Sequence, residues 1–127
     1  MTQPYNIDYD PPIPILQVRF STPEWSLYTD TLLAIVDTGA DGTLVPVKYL
    51  RAIDATVEGQ SGLRSQWGER RTVNLYLVDL EVAELTLQSV WVIGDDLSDE
   101  VIIGRNVLNR LHLVLNGPIL RSEIVGF

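Results

Sequence analysis

The chain has 127 residues, 46% of them hydrophobic, which is enough for one domain with a real core and too few for two ordinary ones. Nine Lys and Arg against seventeen Asp and Glu leave a net charge of −8, which opposes binding to a phosphate backbone and argues against a nucleic-acid partner. With no cysteine and His112 as the single histidine, disulfides, thiolate catalysis and cysteine or multi-histidine metal centres are excluded, and no cofactor is expected.

Residues 1–14 carry Pro4, Pro11, Pro12 and Pro14. Proline fixes φ and lacks an N–H, so this segment is expected to be an extended or disordered arm and a poor sheet partner, with the packed domain spanning 15–127. The arm has neither the basic region nor the apolar core of a signal peptide, and no run is apolar enough to span a bilayer. A soluble, cytoplasmic domain with no membrane partner is therefore expected. From Ile15, "ILQVRF" alternates as a half-buried strand, "STPEWS" breaks it, and "TLLAIV" reads as a buried strand running into Asp37. After Asp37-Thr38-Gly39, "TLVP" reads as a short strand and "VKYLRAI" as a turn or two of helix.

Between Ala55 and Ile93 the pattern predicts a long hairpin, a turn near Glu84 and a further strand, "LQSVWVI". Glycines 59, 62 and 68 lie in its first arm and near its tip; they suit a static bulged hairpin or a mobile one whose backbone approaches a ligand. Arg64, Arg70 and Arg71 form the one basic cluster, read most simply as a solvated hairpin end. Trp25, Trp67 and Trp91 are expected to pack in the core or the hairpin, with Trp67 the one that also reads as a substrate contact. Asp95, Asp96, Asp99 and Glu100 lack the alternating ligands of a calcium loop, so no metal is expected there. Val101 to Ile103 then read as a buried strand, Gly104 as a turn, and Asn106 to Leu111 as a short helix with Val107, Leu108 and Leu111 on one face. His112 is expected on a strand face, Asn109 and Arg110 in solvent, Asn116-Gly117 in a turn, and "ILRSEIVGF" as an edge or interface strand.

The residue that needs explaining is Asp37, a charge at the mouth of a buried strand. Asp-Thr-Gly alone is ordinary turn composition. Its context is not: an apolar strand enters Asp37-Thr38-Gly39-Ala40-Asp41, a glycine-containing hairpin follows, and a second apolar strand ends in Ile102-Ile103-Gly104-Arg105-Asn106 before a short helix. In this order of motifs, over roughly Ile15 to Val125, the sequence resembles the retropepsin-like aspartic proteases.

The resemblance implies an all-β retropepsin-like barrel with a flap hairpin and one short C-terminal helix, one lobe per chain. It implies an aspartic endopeptidase in which two carboxylates face each other, one ionised to activate water and one protonated to polarise the scissile carbonyl. Since the motif occurs once, the second carboxylate would come from a homodimer partner, with Asp37 of each subunit on the two-fold axis. By the same resemblance Thr38 would brace the two loops across the axis, and Gly39 would let backbone approach the carboxylates. Ala40 would follow where bilobed members have a Ser that donates to the carboxylate, leaving the dyad less acidic. Asp41 would pair with Arg105, and Ser65, Gln66, Trp67 and Gly68 would form the flap tip over a protein or peptide substrate. Two other readings remain at this point: a non-catalytic retropepsin-like module for dimerisation or peptide binding, and a small β-barrel with an accidental Asp-Thr-Gly.

Overall fold

Side-chain alternation along three long strands builds this molecule. The computed structural model describes residues 1–23, 26–64 and 68–126. In chain order these form β1 (Thr2–Pro4), β2 (Ile15–Thr22), β3 (Leu27–Tyr28), β4 (Leu32–Val36), β5 (Thr43–Pro46), helix α1 (Val47–Ala52), β6 (Val57–Arg64), β7 (Arg70–Val82), β8 (Leu85–Asp95), β9 (Val101–Ile103), helix α2 (Arg105–Leu108), β10 (His112–Asn116) and β11 (Arg121–Gly126). Among the described residues, no helix is long and apolar enough to cross a membrane.

Six strands close into a barrel in the order β2-β4-β9-β5-β8-β7, sealed where residues 18–21 of β2 pair antiparallel with 79–82 of β7. Closure removes the sheet edges that would otherwise seek partners. Leu16, Val18 and Phe20 of β2 and Tyr76, Val78, Leu80 and Val82 of β7 point inward at every second position. Each large side chain buried in this way contributes about 1.5–3 kcal/mol relative to exposure. Leu50 of helix α1 and Ile53 just beyond its end are buried in the core, and the buried Thr22 hydroxyl donates to the Ile53 carbonyl at 3.1 Å.

The alternation slips in β8. Ser89 adopts a left-handed backbone (φ 57), its N–H donates to Asp79 Oδ1 at 3.0 Å, and the β7–β8 register shifts between Val78 and Leu80. This bulge re-aims the rest of the strand, so that Val90 and Val92 face the core and Trp91 faces outward.

The chain termini form a separate three-stranded sheet in the order β1-β11-β10. Two expectations are corrected here. The N-terminal segment is a sheet partner after all: Thr2 faces Glu123 and Pro4 faces Arg121, with Pro4 at the end of an edge strand where a missing N–H is tolerated. The C-terminal strand β11 is not an edge, because β1 takes one side and β10 the other. The Met1 amine and the Ser122 hydroxyl add hydrogen bonds to the Ile124 and Gln3 carbonyls, both at 3.3 Å. Helix α2 begins at Arg105 and ends at Leu108, shorter than the predicted span, because the chain tightens into turns before β10 starts at His112.

Candidate active site

β4 and β9 lie parallel at the centre of the barrel wall, with Val36 opposite Ile103. The next residue of each strand leaves the sheet, and the two loops pack on one another. Asp37 N–H donates to the Ile103 carbonyl at 3.0 Å, which continues the ladder by one rung and fixes where the carboxylate emerges. The loop then turns back on itself: Gly39 N–H donates to Asp37 Oδ1 at 2.9 Å and Ala40 N–H to the Asp37 carbonyl at 3.2 Å. Asp37 is half-buried, while Thr38, Gly39 and Asp41 are exposed.

Residues 104–106 brace this loop from below. A Cβ on Gly104 would sit 2.1 Å from the Gly42 carbonyl oxygen and 2.9 Å from that of Ala40, so only glycine fits. That closeness lets Arg105 N–H donate to the Ala40 carbonyl at 2.8 Å and Asn106 N–H to that of Asp41 at 3.3 Å. The Arg105 guanidinium divides its donors: Nη1 donates to the Thr38 carbonyl at 2.7 Å and Nη2 pairs with Asp41 Oδ1. The structure thus brings Asp41 and Arg105 together, though the fork clamps a backbone carbonyl and a carboxylate oxygen rather than both oxygens of one carboxylate.

Thr43 and Asn106, to which the sequence reading gave no role, complete the support. The fully buried Thr43 hydroxyl accepts from Gly104 N–H at 3.1 Å and donates to Asn106 Oδ1 at 2.8 Å. Asn106 Nδ2 in turn donates to the Trp91 carbonyl at 2.9 Å. One hydroxyl therefore ties the strand leaving the Asp37 loop to the segment beneath it. The sequence offered a threonine just after the loop, which alternation reads as an ordinary strand residue, and the asparagine of the second motif, but nothing that paired the two.

Beside the loop runs an open groove of about 500 Å³. It is lined by residues 39–42 with Leu44, by Ser61, Gly62 and Leu63 of β6, by Leu75 of β7 and by Ile93 of β8. Trp91 lines it too and is 48% exposed, which corrects the expectation that it packs in the core or the hairpin. Gly62 contributes a strip of bare backbone. Of the predicted flap tip, Ser65, Gln66 and Trp67 lie outside the described residues, as does Trp25. Gly68 is exposed, with its backbone in the left-handed region (φ 82).

On the far side of β8, Arg71 pairs with Asp96 at 2.9 Å and with the buried Asp95 at 3.4 Å, and Lys48 pairs with Asp99 at 3.2 Å. The hydrogen bond and charge of Asp99 hold the Lys48 ammonium above its ordinary pKa. Part of the basic hairpin end and part of the acidic loop therefore neutralise one another.

No family model matches the sequence, and no curated protein does. Solved structures do match. A retropepsin-like aspartic protease from Rickettsia conorii superposes with a TM-score of 0.64 at 11% identity, covering 96% of this chain and 88% of that one. The retroviral protease-like domain of Ddi1 from Leishmania major gives 0.54 at 15% identity over 91% of each chain. A foamy viral protease-reverse transcriptase in complex with double-stranded DNA gives 0.50 at 21% identity over 72% of this chain, which spans only 14% of that longer protein. At these identities the likeness is one of fold, and it agrees with the six-stranded barrel, its added strands and its short helices: the chain has the single-lobe retropepsin-like fold.

Proposed function

We propose that this chain is one subunit of a homodimeric aspartic endopeptidase, with Asp37 of each subunit facing the other across a two-fold axis. The observation that carries the reading is the half-buried Asp37 carboxylate, aimed by the last rung of a parallel strand pair and gripped by the Gly39 N–H, in a loop whose following residues 39–42 line a groove of about 500 Å³. Two carboxylates within about 3 Å cannot both stay ionised, so the pair shares a proton. The ionised carboxylate takes a proton from water as the water oxygen attacks the scissile carbonyl carbon, and the protonated one donates a hydrogen bond to the carbonyl oxygen as charge develops there; the proton taken from water then passes to the leaving nitrogen as the C–N bond breaks and the carbonyl re-forms. Thr38, exposed beside Asp37, faces its mate across the axis. Asp41 and Arg105 are positioning residues, holding the loop through the Thr38 carbonyl.

The peptide lies in the groove with apolar side chains against Leu44, Trp91 and Ile93, and β6 covers it with its glycine-containing arm. A retained fold that only binds peptides is the weaker reading, because it supplies no reason to keep a carboxylate pair on a partly desolvated axis. A peptide library assayed with wild type and Asp37→Asn at matched dimer concentration tests the proposal. Cleavage by wild type alone is expected, at mildly acidic to near-neutral pH, because Ala40 provides no hydroxyl to favour the charged carboxylate. Equal cleavage by both, or by neither with dimer confirmed, contradicts the enzyme; an optimum far below about pH 4 contradicts the role given to Ala40.

A further inference from the structure

The hairpin of β6 and β7 outruns the barrel. β7 pairs with β8 only from Leu75 onward, where Leu75 faces Ile93, so residues 70–74 and the stretch of β6 opposite them, 60–64, pair with each other alone. A two-stranded ribbon of this kind is marginal in water by itself. Among its described side chains only Val73 is buried. A cavity of about 350 Å³ is lined by Val47 and Arg51 of α1 and by Thr72 and Asn74 of the ribbon, so close packing on the helix does not fix it. Yet Ser61, Gly62 and Leu63 of the ribbon line the groove beside the Asp37 loop.

Among the described residues, one side chain ties the ribbon to the barrel by polar contacts. Arg71, directly opposite Leu63 in the ladder, donates from Nη1 to Asp96 Oδ1 at 2.9 Å and from Nη2 to Asp95 Oδ1 at 3.4 Å. The anchor belongs to the barrel: Asp95 ends β8, faces Pro46 of β5, and has a side chain only 7% exposed. Its Oδ1 also accepts from Leu97 N–H at 2.9 Å. A buried carboxylate needs such partners, and Arg71 is the one that brings an opposite charge. Ile93, two residues earlier on the same strand, lines the groove. The ion pairs therefore span two elements that both contribute to the groove, and they set how far apart those elements stand.

We infer that Arg71 is a positioning residue for peptide binding, its bonds to Asp95 and Asp96 holding the ribbon in place beside the groove. This rests on the protease reading above and adds to it the tie that fixes one side of the peptide's site.

Arg71→Gln and Asp96→Asn, alone and together, test this through two readouts. Amide hydrogen exchange needs no cleavage. It is expected to quicken over 60–64 and 70–74 in Arg71→Gln, while residues 79–82, where the barrel is sealed, keep their protection. In peptide cleavage, KM is expected to rise about tenfold with kcat within about twofold, the pattern of a lost interaction shared by substrate and transition state. Arg71→Lys is expected to fall between, because an ammonium keeps the charge but not the fork. Asp96→Asn is expected to weaken binding in the otherwise wild-type chain and to add nothing once Arg71 is replaced. Unchanged exchange over 60–64 and 70–74 in Arg71→Gln overturns the inference. So does a fall in kcat at constant KM, or an Asp96→Asn effect of equal size with and without Arg71. If exchange quickens as expected but no variant, wild type included, cleaves any peptide, the tie stands and the protease reading fails.

Discussion

At the scale of single residues, Thr43 carries more than its place in the sequence suggests. Its hydroxyl is fully buried, accepts from Gly104 N–H and donates to Asn106, and so joins the two loops that set Asp37. Thr43→Val keeps the shape and strands both partners, a buried N–H and an amide oxygen. The expected cost is about 1–3 kcal/mol in urea denaturation, with cleavage reduced because the loop loosens. A change below about 0.5 kcal/mol would mean that water replaces the hydroxyl at no cost. By contrast, the Asp41–Arg105 pair is largely exposed, with the Asp41 side chain at 93%, so its charge attraction alone contributes little to stability. Its use is to aim the guanidinium at the Thr38 carbonyl. That pairing was expected only through the resemblance to the retropepsin-like proteases; the Thr43 and Asn106 bonds were not expected, because nothing in a strand pattern says which hydroxyl turns inward to a backbone N–H.

At the scale of elements, the junction of β9 and α2 is where the fold tolerates least. Gly104 has an ordinary extended backbone (φ −96, ψ −175), so glycine is not there for conformational freedom. It is there because any Cβ would overlap the Gly42 carbonyl. Gly104→Ala must push the Asp37 loop and the start of α2 apart, and a loss of about 3 kcal/mol is expected, at the upper end for overpacking. Unchanged thermal unfolding would contradict the close approach. Strand identities were readable from alternation in β2 and β7 and from the unbroken apolar run of β4, since burial on one face or two leaves different patterns. Trp91 was misread because the bulge at Ser89 resets which side chains face in, and a serine carries no signal of a left-handed backbone. The pairing of β1 with β11 was missed for a related reason: local proline content argues against a strand, whereas the outcome depends on a partner more than a hundred residues away, with Thr2 opposite Glu123.

At the scale of the whole molecule, a closed barrel with one Asp-Thr-Gly loop is a complete fold and half of the proposed active site. The barrel needs no partner to bury its core, but the chemistry does, because general-base activation of water and polarisation of the carbonyl require two carboxylates in different protonation states. Fold class was within reach because three motifs, each occurring once, stand in the order in which the sequence resembles the retropepsin-like proteases. The assembly was not, since an edge strand and a central strand of the terminal sheet look alike in sequence. The central claim, that each catalytic centre draws one Asp37 from each of two chains, is tested most directly by subunit mixing. Wild type and Asp37→Asn are unfolded and refolded together in equal amounts, and peptide cleavage is compared with that of the same total amount of refolded wild type. Random pairing leaves about a quarter of the dimers with two aspartates, so the rate is expected to fall to about a quarter. A rate of about one half, proportional to wild-type chains, would mean that each subunit works alone and would contradict the account.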